Sequence, residues 1–101
     1  MTSYTFDATL WLWTAATGPG QWQFVTLPEA VTDQIDDALV GPRAGFGSVK
    51  VRVTTGTTTW DTSLFPSKEH ASFILPVKKA VRVAEGLDAG VKATFSVTVL
   101  V

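Results

Sequence analysis

The sequence has 101 residues, 46% hydrophobic and 17% charged, with a net charge of −1, one histidine and no cysteine. These values point to one compact soluble domain over residues 1–101, burying roughly 65% of its unfolded surface. They exclude disulfide scaffolds, thiolate metal sites and thiol catalysis, and give no general attraction to nucleic acid or anionic membrane.

From Tyr4 the chain alternates, with Tyr4, Phe6, Ala8, Leu10 and Leu12 on one face and Thr5, Asp7 and Thr9 on the other. A period of two marks a strand with one buried face. Trp11 and Trp13 then occupy the formerly polar face, the pattern of a strand that leaves one layer and enters another. Thr17-Gly18-Pro19-Gly20 is turn chemistry, so Gln21 to Leu27 should return as a second strand. Pro28-Glu29 opens a helix over residues 29–40, with Val31, Ile35 and Leu39 inward, Ala38 beside them, and Asp33, Asp36 and Asp37 outward. Gly41-Pro42 should stop it.

The glycine-rich stretch from Gly41 to Gly47 leads into Val49, Val51 and Val53, alternating with Lys50, Arg52 and Thr54. A turn centred on Gly56 connects these to Thr58, Trp60, Thr62 and Leu64 as a hairpin, and Pro66 should end the pair. Phe73 to Leu75 reads as a short strand closed by Pro76. Residues 77–85 form a second helix capped by Gly86. Val91, Ala93, Phe95, Val97 and Val99 alternate with polar residues as the last strand. The expected fold is mainly β (α+β): a small six-stranded double-split β-barrel with two short helices, since closure removes exposed strand edges.

Few residues offer chemistry. Asp61, Ser63 and His70 lack the strained turn that aims a nucleophile, so catalysis there is not expected. Asp33, Asp36 and Asp37 read as the wet side of a helix rather than a metal site, and no cofactor is implied. The loop from Gly41 to Gly47 precedes a strand, whereas phosphate-cradling loops enter a helix.

The second helix breaks a local rule. It places Lys78 and Lys79 in a first turn, where the dipole favours acids, with Arg82 one turn further on. Cations beside unpaired backbone N–H groups suit an anionic small molecule. The expected ligand-binding residues are Lys78, Lys79 and Arg82, joined by Arg52, Trp60 and Ser63. Trp60 and Trp22 fall on core positions. Trp11 and Trp13 either fill the barrel interior, the preferred reading, or line a cleft for a flat ligand.

Four stretches together resemble the bacterial domain of unknown function 1905 family over nearly the whole chain. They are Phe6-Asp7-Ala8-Thr9-Leu10-Trp11, Trp22-Gln23-Phe24-Val25-Thr26-Leu27-Pro28, Trp60-Asp61-Thr62-Ser63-Leu64-Phe65-Pro66, and Leu75-Pro76-Val77-Lys78-Lys79-Ala80-Val81-Arg82. The resemblance implies a double-split barrel, like AbrB-type transcription factors in architecture only, and implies no activity. Lys78, Lys79 and Arg82 match the family's basic helix. Family members tend to carry an acid after the glycine before the last strand, whereas here Val91 follows Gly90.

The reading these features favour is a non-enzymatic binding module for an anionic small molecule. The alternative is an interaction or assembly domain, homodimeric or with a protein partner, using a sheet edge or the Trp11/Trp13 surface. DNA binding by analogy with AbrB-type barrels ranks lower, because eight basic residues face nine acidic ones. The stretch from Met1 to Asp7 has no secretory signal, and no apolar run nears the ~20 residues of a membrane span, so a cytoplasmic location without membrane contact is expected.

Overall fold

The computed structural model describes residues 2–13, 22–39 and 47–100. In chain order they form β1 (Ser3–Thr9), β2 (Trp11–Trp13), β3 (Trp22–Thr26), α1 (Glu29–Ala38), β4 (Val49–Thr55), β5 (Thr58–Ser67), β6 (Ser72–Pro76), α2 (Lys79–Glu85) and β7 (Lys92–Val99). The expected turn over residues 17–20 and nearly all of the glycine-rich loop lie outside the described residues. The strands make one antiparallel sheet in the order β1-β7-β4-β5-β6-β3-β2, curled into a half-barrel.

Seven strands replace the six expected, because the first one breaks at Leu10. This residue donates its N–H to Val91 O (3.0 Å) and accepts from Gly90 N (2.8 Å), so the last-strand approach holds it between two pairings. Before it, β1 pairs with β7; after it, β2 pairs with β3. The change of layer read from Trp11 and Trp13 is therefore present, and it joins the two ends of the sheet through one residue.

A second strand also serves both halves. β5 pairs with β4 as far as Leu64 and with β6 from Phe65 onward. As expected, the β4–β5 pairing ends just before Pro66, at Leu64; the strand itself continues to Ser67, with Pro66 opposite Phe73. Strands that switch partners make the corners of curled sheets. One half-sheet thus contains β1, β7, β4 and the start of β5; the other contains the end of β5, β6, β3 and β2.

The concave face holds the core. Phe6 and Phe95 stack at 6.0 Å, and Val51, Val53, Trp60, Leu64 and Val97 continue the layer. The other half-sheet contributes Val25, Phe73 and Leu75, and Leu10 fills the corner. α1 packs on β6 through buried Thr32 and Ile35, with Val31 and Leu39 partly buried. Thr32 was not on the expected stripe; its hydroxyl accepts the Phe73 N–H at 3.2 Å, which makes its burial tolerable. The helix ends at Ala38 rather than residue 40, because Leu39 is already extended.

α2 begins at Lys79 rather than residue 77. Val77 still belongs to the sheet: its N–H donates to Gln23 O at 2.9 Å, prolonging the β3–β6 pairing. Lys78 is then the extended residue before the first turn. Gly86, at φ 66°, closes the helix in the left-handed conformation, with Leu87 N donating to Arg82 O. α2 rests on β5 through buried Val81. Its Glu85 carboxylate accepts from Thr58 (2.5 Å) and Thr57 (3.3 Å) at the β4–β5 turn.

Candidate functional site

The tryptophans separate by strand parity. Trp60 lies opposite Val53 on the concave face and is 8% exposed, as expected. Trp22 is not a core residue: it is 56% exposed. In β3 the inward residues are Gln23 and Val25, followed by Leu27, so Trp22, Phe24 and Thr26 point outward. Trp11 and Trp13 do not fill the interior either. The inward parity of Phe6 and Leu10 continues unbroken through the corner, leaving both indoles outside, Trp13 at 44% exposure.

The convex face of the second half-sheet therefore carries an aromatic row. Register places Trp13 opposite Trp22 and Trp11 opposite Phe24. Trp22, Phe24, Trp11 and His70 stack in sequence, with ring centroids 6.3, 5.2 and 4.7 Å apart and planes within 27° of parallel. Two polar contacts fix this column. Trp11 Nε1 donates to Thr26 Oγ1 at 2.9 Å, and His70 Nδ1 lies 2.9 Å from Ser67 Oγ. Stacked rings with two members held by hydrogen bonds are preorganised, so a ligand meeting them orders little.

Beside the column is an open cavity of about 240 Å³. Trp11, Trp13, Phe24 and Ile74 form its apolar walls; Ser67, Glu69 and His70 come from the end of β5 and the turn into β6. That turn contains Ala71 at φ 52°, a left-handed conformation an alanine adopts at a cost of roughly 1 kcal/mol. Phe65, on the same convex face as its partner Ile74, is 41% exposed and extends the apolar surface. A second cavity of about 200 Å³ opens on the other side of the turn, between Thr32, Asp36, Lys68 and Phe73.

The residues expected from sequence to bind an anion are distributed differently. Lys78 and Lys79 are exposed at the start of α2. Arg82 turns back, its Nε donating to Val77 O at 3.1 Å. Arg52 is engaged across the sheet with Asp61, through Nε–Oδ1 at 2.8 Å and Nη2–Oδ2 at 3.1 Å. This hydrogen-bonded pair holds the Asp61 carboxyl below the usual carboxylate range and raises the Arg52 guanidinium further. Ser63 shares that convex face, whereas Trp60 points to the concave one. Arg52 and Trp60 thus lie on opposite faces. His70 bonds Ser67, not Ser63.

One polar group is buried in the core. Gln23 is 4% exposed; its Nε2 donates to Asp88 Oδ1 at 2.8 Å, while its Oε1 has no partner among the described residues. The bond from Gln23, with one from Ala89 N and the nearby charge of Arg82, holds the Asp88 carboxyl below its usual range. Among the described residues no group of three His, Cys, Asp or Glu side chains could hold a metal ion. No described helix is long and apolar enough to cross a membrane.

The family model described as Domain of unknown function (DUF1905) matches residues 6–97. The chain belongs to that family. Among curated proteins, none matches it. The DUF1905 match runs from Phe6 to Val97 and so takes in every residue of the aromatic column, all of β5 and the β1–β2 path from Phe6 onward.

Proposed function

We propose that this DUF1905 chain is a non-enzymatic binding module whose ligand occupies the cavity beside Trp11 and Trp13. The observation that carries this reading is the preorganised column of Trp22, Phe24, Trp11 and His70 with exposed Trp13 beside it, on a sheet face that is ordinarily polar. Contiguous exposed apolar surface on a small domain marks a contact site more often than it marks nothing. The same reading takes the half-barrel as a double-split β-barrel; its support is that β1–β2 and β5 each serve both half-sheets.

A thermal-shift screen tests the proposal, because a ligand that binds only the folded chain raises Tm by mass action. Its arms are small aromatic and alkyl compounds in neutral, cationic and anionic forms, with inorganic phosphate among the anions. The expected result is a rise in Tm that Trp13→Ala abolishes while leaving the unliganded Tm near the wild-type value. A rise with phosphate, lost in Lys79→Glu and kept in Trp13→Ala, would move the site to Lys78, Lys79 and Arg82. Concentration-dependent association that Trp13→Ala abolishes, with no small-molecule response, would make the surface a protein interface instead.

A further inference from the structure

We propose that the outer cavity selects a small organic cation, its charged group facing Glu69 and its apolar substituents against Trp13 and Ile74. The inference rests on the binding reading above and adds the chemical class of the ligand. The polar groups of the cavity are not equivalent. Ser67 Oγ and His70 Nδ1 bond each other, and the indole N–H of Trp11 is used by Thr26. Glu69 is the acidic side chain of the lining, an exposed carboxylate with no partner among the described residues.

The rings have matching electrostatics. Trp11 and Phe24 spend their faces on the column, whereas Trp13 has no ring partner among the described residues and is 44% exposed. An indole face carries negative potential and is the strongest of the side-chain π-surfaces for a cation. A carboxylate beside such a face repels phosphates and carboxylates and attracts an ammonium group. A bare divalent ion is not favoured, because one carboxylate leaves most of its six or more oxygen positions unfilled. A volume of about 240 Å³ lies below the range of drug-sized sites, so the occupant is a head group or a compact amine.

Choline and its neutral isostere 3,3-dimethylbutan-1-ol differ by one quaternary nitrogen and test the inference directly. Titrations followed by indole chemical shifts should show choline binding at least tenfold more tightly than the alcohol. Glu69→Gln should remove most of that preference, and Trp13→Ala should weaken both compounds. Both positions are exposed, and an unchanged Tm for each variant excludes unfolding as the cause. Equal affinity for alcohol and choline, or choline binding untouched by Glu69→Gln, overturns the cation inference while leaving the cavity a binding site. If neither compound shifts any indole and the full screen also gives no response, the binding reading itself falls.

Discussion

The two half-sheets present the same geometry to solvent and very different chemistry. On the convex face of the first, Ser3 pairs with Thr98, Thr5 with Ser96, Asp7 with Thr94, Thr54 with Thr59 and Arg52 with Asp61. On the convex face of the second stand Trp11, Trp13, Trp22, Phe24, Phe65 and Ile74. Cross-strand hydroxyl pairs stabilise a sheet while remaining well hydrated. Exposed indoles keep water in contact with apolar surface, at about 25 cal/mol for each Å² left uncovered. Folding alone explains the first surface; the second makes physical sense as a place of contact.

Truncating tryptophans on both sides of the sheet separates the two faces most sharply. Trp60→Ala should cost about 3–5 kcal/mol in urea denaturation, because a buried indole leaves a cavity among Val53, Leu64 and Val97. Gly56→Ala should cost about 1–2 kcal/mol. At φ +58° an added Cβ is strained and would overlap Glu85 Oε1, so the carboxylate, which accepts from Thr57 and Thr58 through Oε2, must move to make room. Trp22→Ala, by contrast, should change stability by less than about 1 kcal/mol, since its side chain is already largely in water. A loss for Trp22→Ala as large as that for Trp60→Ala would show the convex row to be structural.

The smallest effect belongs to the polar face. The folded-state Asp61 carboxyl is held below its ordinary range, so the pair with Arg52 contributes fully above the unfolded-state value. That contribution is lost as pH falls through the folded-state value, in the window below about pH 4. Asp61→Asn should therefore flatten the acid limb of the stability–pH profile and leave choline binding at pH 7 unchanged. Both groups are well exposed, which keeps the effect small.

Much of the fold was legible because alternation reports which face is buried. Phe6, Val51, Val53, Trp60, Phe95 and Val97 all lie on the concave face their spacing implied. Trp22 was misplaced for a definite reason. In β3 both parities are apolar, Trp22 and Phe24 against Val25 and Leu27, and size favoured the wrong set. Gln23 shares the inward parity, its amide bonded to Asp88 and its backbone carbonyl accepting from Val77 N on the adjoining strand. Trp11 and Trp13 carried a usable signal, because unbroken parity from Phe6 through Leu10 already placed them outside.

Other features depend on neighbours distant in sequence and could not be read locally. The column needs His70, which lies 59 residues beyond Trp11 and reaches it only through the Ala71 turn. The position of Glu69 beside Trp13 follows from the same turn. Conversely, Arg52 and Trp60 were grouped from residue type, and pairing then put them on opposite faces. Lys78 and Lys79 do stand exposed beside α2, but that helix is seven residues long and its Arg82 is turned toward Val77.

The central claim is that the convex aromatic face binds a ligand while the concave face only holds the fold, and the four indole N–H resonances report on both at once. Titration of the intact chain with choline at pH 7 should move the Trp13 resonance most, with Trp11 following and Trp60 unmoved. If Trp60 moves together with the others, or if no indole resonance moves with choline or with any compound of the screen, the convex face is not a binding face; silence with choline alone overturns only the cation inference.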